Sequence, residues 1–108
     1  MKIAFRVDSS DLVGLGHMSR CITLAKVFKS ENCKVIFICK EIDDFSTLTL
    51  KKNNILIFKI KNNLNEIQDG QASSKIIKKQ KIDITFLDNY GLNIRWERIV
   101  SLVNKIAW

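Results

Sequence analysis

Proline is absent from this sequence, so its turns must be made by Asn, Asp and Gly. Histidine occurs once, as His17, and the three cysteines, Cys21, Cys33 and Cys39, form no C-x-x-C pair. Neither a common zinc set nor a disulfide framework can be assembled from these, and the cysteines read as reduced, small hydrophobes. No metal and no cofactor is expected. No apolar run approaches the ~20 residues that cross a bilayer, so no membrane partner is expected. The opening Met1-Lys2-Ile3-Ala4-Phe5-Arg6 is too short and too soon interrupted by charge for a secretory signal, which makes a cytoplasmic location the expectation. Arginine is scarce: fourteen of the eighteen cations are lysine. The net charge of +7 therefore does not come with the interleaved Arg and aromatic residues of a nucleic-acid reader. Ile, Lys and Asn make up 39 of the 108 residues, a general compositional bias rather than a binding face. A mild attraction for small anions is what the charge leaves.

What is present is an ordinary globular composition, 46% hydrophobic and 27% charged. It suits one small domain that buries roughly two-thirds of its unfolded surface. Lys2 to Val7 reads as a strand. Residues 8–16 read as a turn. From His17 to about Ser30, Met18, Cys21, Ile22, Leu24, Ala25 and Phe28 recur at helical spacing. Lys34 to Cys39 is a continuous apolar run, as in a parallel strand covered on both faces. Asp43 or Asp44 caps a second helix to Lys52 that turns Phe45, Leu48 and Leu50 inward. Residues 55–60 form a third strand, 61–70 a polar stretch, and Ser73 or Ser74 to Lys81 a short basic helix. A fourth strand runs over 82–87 and a last helix over 94–105, its apolar positions being Trp96, Ile99, Val100, Leu102 and Val103. Residues 106–108 read as the start of another strand. This alternation predicts an α/β fold with a parallel sheet and helices on both faces.

The chemistry concentrates at Asp8 to Cys21, which holds two of the four glycines and the one histidine. Gly14-Leu15-Gly16-His17 lacks the third glycine of a dinucleotide fingerprint, because Ser19 stands there, and no P-loop Lys-Ser/Thr pair is present. The glycines can bring backbone close to a ligand, or simply make a tight turn. His17 lies at the start of a helix, where the macrodipole favours the neutral ring a general base needs. A plain surface histidine is the alternative. Arg20, one turn on, can meet a phosphate or carboxylate, or pair with Asp8 or Asp11. Asp88-Asn89-Tyr90-Gly91 follows the fourth strand as the first motif follows the first, at the sheet end where open α/β folds bind ligands. Those four residues can equally be a turn, with Gly91 at positive φ and Tyr90 packed on the rim.

Arg6, Asp8, Gly14, Gly16, His17, Arg20, Cys21, Leu24 and Ala25, with Leu87-Asp88-Asn89-Tyr90-Gly91 further on, resemble the N-terminal lobe of the UDP-2,4-diacetamido-2,4,6-trideoxy-β-L-altropyranose hydrolases of pseudaminic acid biosynthesis. That family also takes in spore-coat polysaccharide synthesis proteins. The resemblance implies a Rossmann-like lobe, residues 1–108, of a two-lobed glycosyltransferase-B-type fold, cut before the C-terminal lobe that holds most of the UDP. It implies a UDP-sugar substrate, no obligatory metal, and a missing lobe or separate chain as partner. Where the family commonly has D-H-Y-G, this chain has Asn89, which cannot act as a base and sets aside proton transfer at that position.

The implied reaction is hydrolysis at an anomeric carbon, with a diphosphate that leaves without needing a proton (second phosphate pKa about 6). His17 is the expected base for the attacking water. Asp8, Gly14, Gly16, Arg20, Asp88, Asn89, Tyr90 and Gly91 are the expected substrate contacts, Asn89 and Tyr90 against the acetamido groups. The rival readings are a glycosyltransferase of the same fold and an inactive sugar-nucleotide-binding lobe.

Overall fold

A computed structural model describes residues 1–11, 13–89 and 91–107. Leu12, Tyr90 and Trp108 lie outside the described residues, so the expected contact at Tyr90 is not among the structural observations. The elements alternate: β1 (Lys2–Val7), α1 (Leu15–Ser30), β2 (Lys34–Cys39), α2 (Asp44–Lys52), β3 (Leu56–Lys59), α3 (Glu66–Lys79), β4 (Ile84–Asp88), α4 (Ile94–Val100) and β5 (Lys105–Ala107). The strands form one parallel sheet in the order β3-β2-β1-β4-β5. Order reverses at β1, so the crevice between the carboxyl ends of β1 and β4 is the switch point where such sheets bind ligands.

Period-two alternation along β1 divides the core. Ile3, Phe5 and Val7 face α1 and α2, whereas Ala4 faces α3 and α4 with Ile77, Trp96 and Val100. Register places Phe5 between Phe37 and Phe86. The three rings stack across β2, β1 and β4 with centroids 5.0 and 5.1 Å apart. Three helices end in the same way. Asn32, Asn54 and Lys81 take left-handed φ of 64°, 57° and 56°. Each is followed by a residue whose N–H reaches back five positions: Cys33 to Phe28, Ile55 to Leu50, and Ile82 to Ile77. These Schellman turns send the chain straight into the next strand. They replace proline as the stop signal.

Several expected boundaries shift. α1 begins at Leu15, not His17, because Gly14 at φ 80° is its N-cap. In α2, Phe45 and Leu48 point to solvent, while Ser46 and Leu50 are buried. Asp43 fixes that phase, its carboxylate accepting the Ser9 hydroxyl and the Ser46 N–H. α3 begins at Glu66, not at Ser73 or Ser74, behind a capping box in which Asn65 and Gln68 each accept the other's backbone N–H. Its inward face carries Asp69, Gly70 and Ser73, so hydrophobic periodicity could not reveal it. Gly70 lets α4 approach, since a Cβ there would lie 3.3 Å from Ile99 Cβ. α4 stops at Val100, and a turn brings the chain into β5; Leu102 is 83% exposed rather than packed.

Candidate functional site

The site begins with an arginine inside an apolar strand. Arg6 is fully buried in β1, and burial alone would penalise its charge. Two carboxylates answer it. Arg6 donates Nε and Nη2 to Asp69 at 3.0 and 2.6 Å, and Nη1 and Nη2 to Asp8 at 2.7 and 3.1 Å. Burial works to lower the guanidinium pKa, but the hydrogen bonds and charges of Asp69 and Asp8 outweigh it and raise the pKa. Asp69 also accepts from Trp96 Nε1 at 2.8 Å and from the Ser73 hydroxyl at 3.2 Å. α3 and α4 are thereby tied to the strand end that carries the site.

Asp8 is the hub on the other side. Burial pushes its pKa up, but Arg6 and the backbone N–H groups of Lys40 and Glu41 pull harder, leaving it below the ordinary carboxylate value. Its Oδ1 accepts from Lys40 N at 2.6 Å, and its Oδ2 accepts from Asn89 Nδ2 at 2.6 Å. The β1–β4 register, Val7 opposite Asp88, is what sets Asp8 beside Asn89. Asn89 Oδ1 in turn accepts the Gly91 N–H at 2.9 Å, so this side chain braces its own loop.

The turn after β1 is closed by Ser10 N donating to Val13 O at 2.8 Å and by Val13 N donating to Ser10 Oγ at 3.1 Å. Gly14 then passes over Asp8: a Cβ there would sit 2.5 Å from the Asp8 carbonyl oxygen. Glycine is required at 14 by both clash and φ. At Gly16 an added Cβ would meet nothing within 4 Å, so the fold does not require a glycine there. It leaves the first turn of α1 bare.

His17, in that first turn, brings Nδ1 to 2.5 Å from Asp88 Oδ1 at the end of β4. Arg20 Nη2 lies 3.0 Å from the same nitrogen and 3.6 Å from Asp88 Oδ2. One nitrogen cannot donate to the carboxylate and accept from the guanidinium at once. An ionised carboxylate only accepts, so Nδ1 carries the proton and Nε2 is the basic nitrogen. Arg20 thus pairs with Asp88, and not with Asp8 or Asp11, the ion-pair alternatives. Beneath the dyad, the Cys21 thiol donates to Asp88 Oδ2 at 3.8 Å. Burial first, then the Asp88 charge, pushes that thiol up to about 12, which keeps it protonated and a donor.

His17, Asp88, Asn89, Asp8 and Gly14 line one cleft of about 170 Å³ with Ser9, Ser10, Val13 and Glu41. Arg20 lies on the far side of Asp88, along a neighbouring groove with Phe5, Leu24 and Phe86. Of the expected site residues, the structure therefore gathers Asp8, Gly14, His17, Asp88 and Asn89 around one space. Arg20 sits behind it, and Gly16 and Gly91 are exposed beside it. Sequence reasoning gave no role to Arg6, Asp69 or Glu41. The signal for the first pair was available: an arginine within Ile3–Val7 of a buried strand demands a buried carboxylate. No cluster of His, Cys, Asp and Glu able to hold a metal occurs among the described residues.

No family model matches the chain. In sequence it is 29% identical over 104 residues to the UDP-2,4-diacetamido-2,4,6-trideoxy-beta-L-altropyranose hydrolase of Campylobacter jejuni, a stretch covering 94% of this chain and 33% of that protein. In fold it is similar to a glycosyltransferase from Rickettsia africae, with a TM-score of 0.70 at 20% identity, over 97% of this chain and 28% of that one. The chain spans about a third of the length of these two proteins. The likeness read from the residues between Arg6 and Ala25 and from the loop after β4 is thus met in sequence by a UDP-diacetamido-trideoxy-altropyranose hydrolase along a third of its length, and in fold by a glycosyltransferase.

Proposed function

We propose that this chain supplies the water-activating half of a hydrolase acting on a UDP-linked diacetamido-trideoxy sugar. The observation that carries the reading is the His17–Asp88 pair on the wall of the switch-point cleft. Asp88 accepts the Nδ1 proton and fixes the ring, and Nε2 takes a proton from water. The water oxygen attacks the anomeric carbon, and the bond from that carbon to the β-phosphate oxygen breaks. UDP leaves with the bonding electrons, and the sugar leaves as the free hemiacetal. Carboxylates around the cleft favour the positive charge that develops on the ring. Gly14 and Gly16 give the substrate access to backbone, and Asn89 and Tyr90 are the proposed contacts of the acetamido groups.

A second lobe, on the same polypeptide or another, completes the UDP site in this reading. The reaction is a step of pseudaminic acid formation, in the cytoplasm. The test is UDP release from UDP-2,4-diacetamido-2,4,6-trideoxy-altropyranose, by the chain alone and with the relative's remaining segment added. His17→Ala should lower the rate by about 10²–10⁴. An unchanged rate removes His17 as base. Product that appears only when a sugar acceptor is supplied marks a transferase instead.

A further inference from the structure

We infer that Glu41 selects the sugar in this cleft, its carboxylate accepting hydrogen bonds from the amide N–H and hydroxyl groups of a neutral amino sugar. The inference deepens the hydrolase reading and rests on it. The argument starts from how the other polar groups of the cleft are engaged. Asp8 is held by Arg6, Lys40 N and Asn89. Asp88 faces His17 and Arg20. The Ser9 hydroxyl donates to Asp43. Both polar atoms of Asn89 hold its own surroundings. These groups build the cleft, and their hydrogen-bonding capacity is largely consumed in doing so.

Glu41 differs. Its backbone is pinned on both sides, its N–H donating to Asp8 Oδ1 at 3.3 Å and its carbonyl accepting from Ser9 N at 3.0 Å. Glu41 is exposed and lines the cleft, and its carboxylate makes no hydrogen bond or ion pair among the described residues. A carboxylate on a fixed backbone, at a cleft whose other acids are paired with Arg6 and Arg20, is the unpaired acid of that wall among the described residues. It suits donors and repels phosphate. A sugar with two acetamido N–H groups presents such donors; a diphosphate presents only acceptors. Glu41 therefore orients the sugar into the cleft with the UDP turned away.

The experiment is a titration of the isotopically labelled 108-residue protein, followed by amide shifts, with the free 2,4-diacetamido-2,4,6-trideoxyhexose and separately with UDP. The sugar should move the amides of Gly14, His17 and Asn89. Glu41→Gln, which keeps the shape and removes the charge, should weaken sugar binding about tenfold to a hundredfold, as losing hydrogen bonds to an ionised acceptor does. UDP binding should be no weaker in the variant. An affinity for sugar within twofold of the parent overturns the role of Glu41 and leaves the hydrolase reading standing. Absence of sugar-induced shifts in the parent overturns the sugar site itself, and this inference with it. Glu41 is exposed, so the remaining amide spectrum should report an unchanged fold.

Discussion

Asp88 Oδ1 at the end of β4 and His17 Nδ1 in the first turn of α1 stand 2.5 Å apart, although 71 positions separate them in sequence. The pair exists because β4 lies beside β1 and the glycine-capped turn starts α1 beside their carboxyl ends. Its first consequence concerns the tautomer. As the only histidine in the chain, His17 gives unambiguous ring-nitrogen resonances. At a pH where the ring is neutral, they should show Nδ1 protonated and Nε2 unprotonated. Asp88→Asn offers an amide that can donate to Nδ1, and the proton should then move to Nε2. Turnover should fall with it, since the ring then has its basic nitrogen turned from the water. A parent spectrum with the proton on Nε2 contradicts the assignment of the base.

Gly14 and Gly16 sit two residues apart and should behave in opposite ways. Gly14→Ala places a methyl 2.5 Å from the Asp8 carbonyl at φ 80°. The left-handed backbone alone costs about 1–2 kcal/mol for an L-residue, and the clash adds to it. Gly16→Ala meets nothing within 4 Å in the first turn of a helix. There Ala is favoured over Gly by up to about 1 kcal/mol. Urea denaturation should show the first variant destabilised and the second equal to the parent or more stable. Sugar titration should show Gly16→Ala binding more weakly. A Gly16→Ala protein that binds as the parent does removes that residue from the ligand's path.

Much of the fold was legible because the sheet strands are apolar and the helices between them long enough for crossovers. β1 and β2 fall where the runs Lys2–Val7 and Lys34–Cys39 put them. What stayed hidden was polar and long-range. α3 turns Asp69 and Ser73 inward, and a helix whose buried face is polar has no apolar stripe to read. Lys81 stops α3 at positive φ where Asn or Gly would have announced the turn. In the site, the motif residues were visible as neighbours along the chain, but their division of labour was not. Asp8 and Asn89 brace the loops and Asp88 orients His17, roles set by sheet register. Glu41 enters only because β2 neighbours β1.

Asp69 is the residue on which that division rests. It is fully buried and accepts from Arg6, Trp96 and Ser73. Asp69→Ala leaves the buried guanidinium with Asp8 as its one remaining carboxylate partner. Removing one member of a buried pair costs about 3–5 kcal/mol. Chemical denaturation should register a loss on that scale, which for a small domain is a large share of the total. The effect should exceed that of Asp83→Ala, whose carboxylate accepts the Lys2 N–H at the exposed start of β1. Equal losses for the two variants would contradict a buried, interdependent network.

Acid should act through the same network. The folded pKa of Asp8 is lowered: burial raises it, but Arg6 and the Lys40 and Glu41 N–H groups lower it further. Asp43 is lowered too, against the effect of burial, by the Ser9 hydroxyl and by the hydroxyl and N–H of Ser46. For a carboxylate depressed in the folded state, the unfolded chain takes up the proton first. The stabilisation is fully present above the unfolded value of about 4, and it is lost as pH falls through the folded value. Denaturation midpoints should hold level from neutrality to about pH 5 as far as these two groups are concerned, then drop below about pH 4. Asp8→Asn should flatten part of that drop and lower stability at neutral pH, because it discards the charge that Arg6 meets. A variant with an acid limb as steep as the parent's would show that Asp8 is not among the groups that set it.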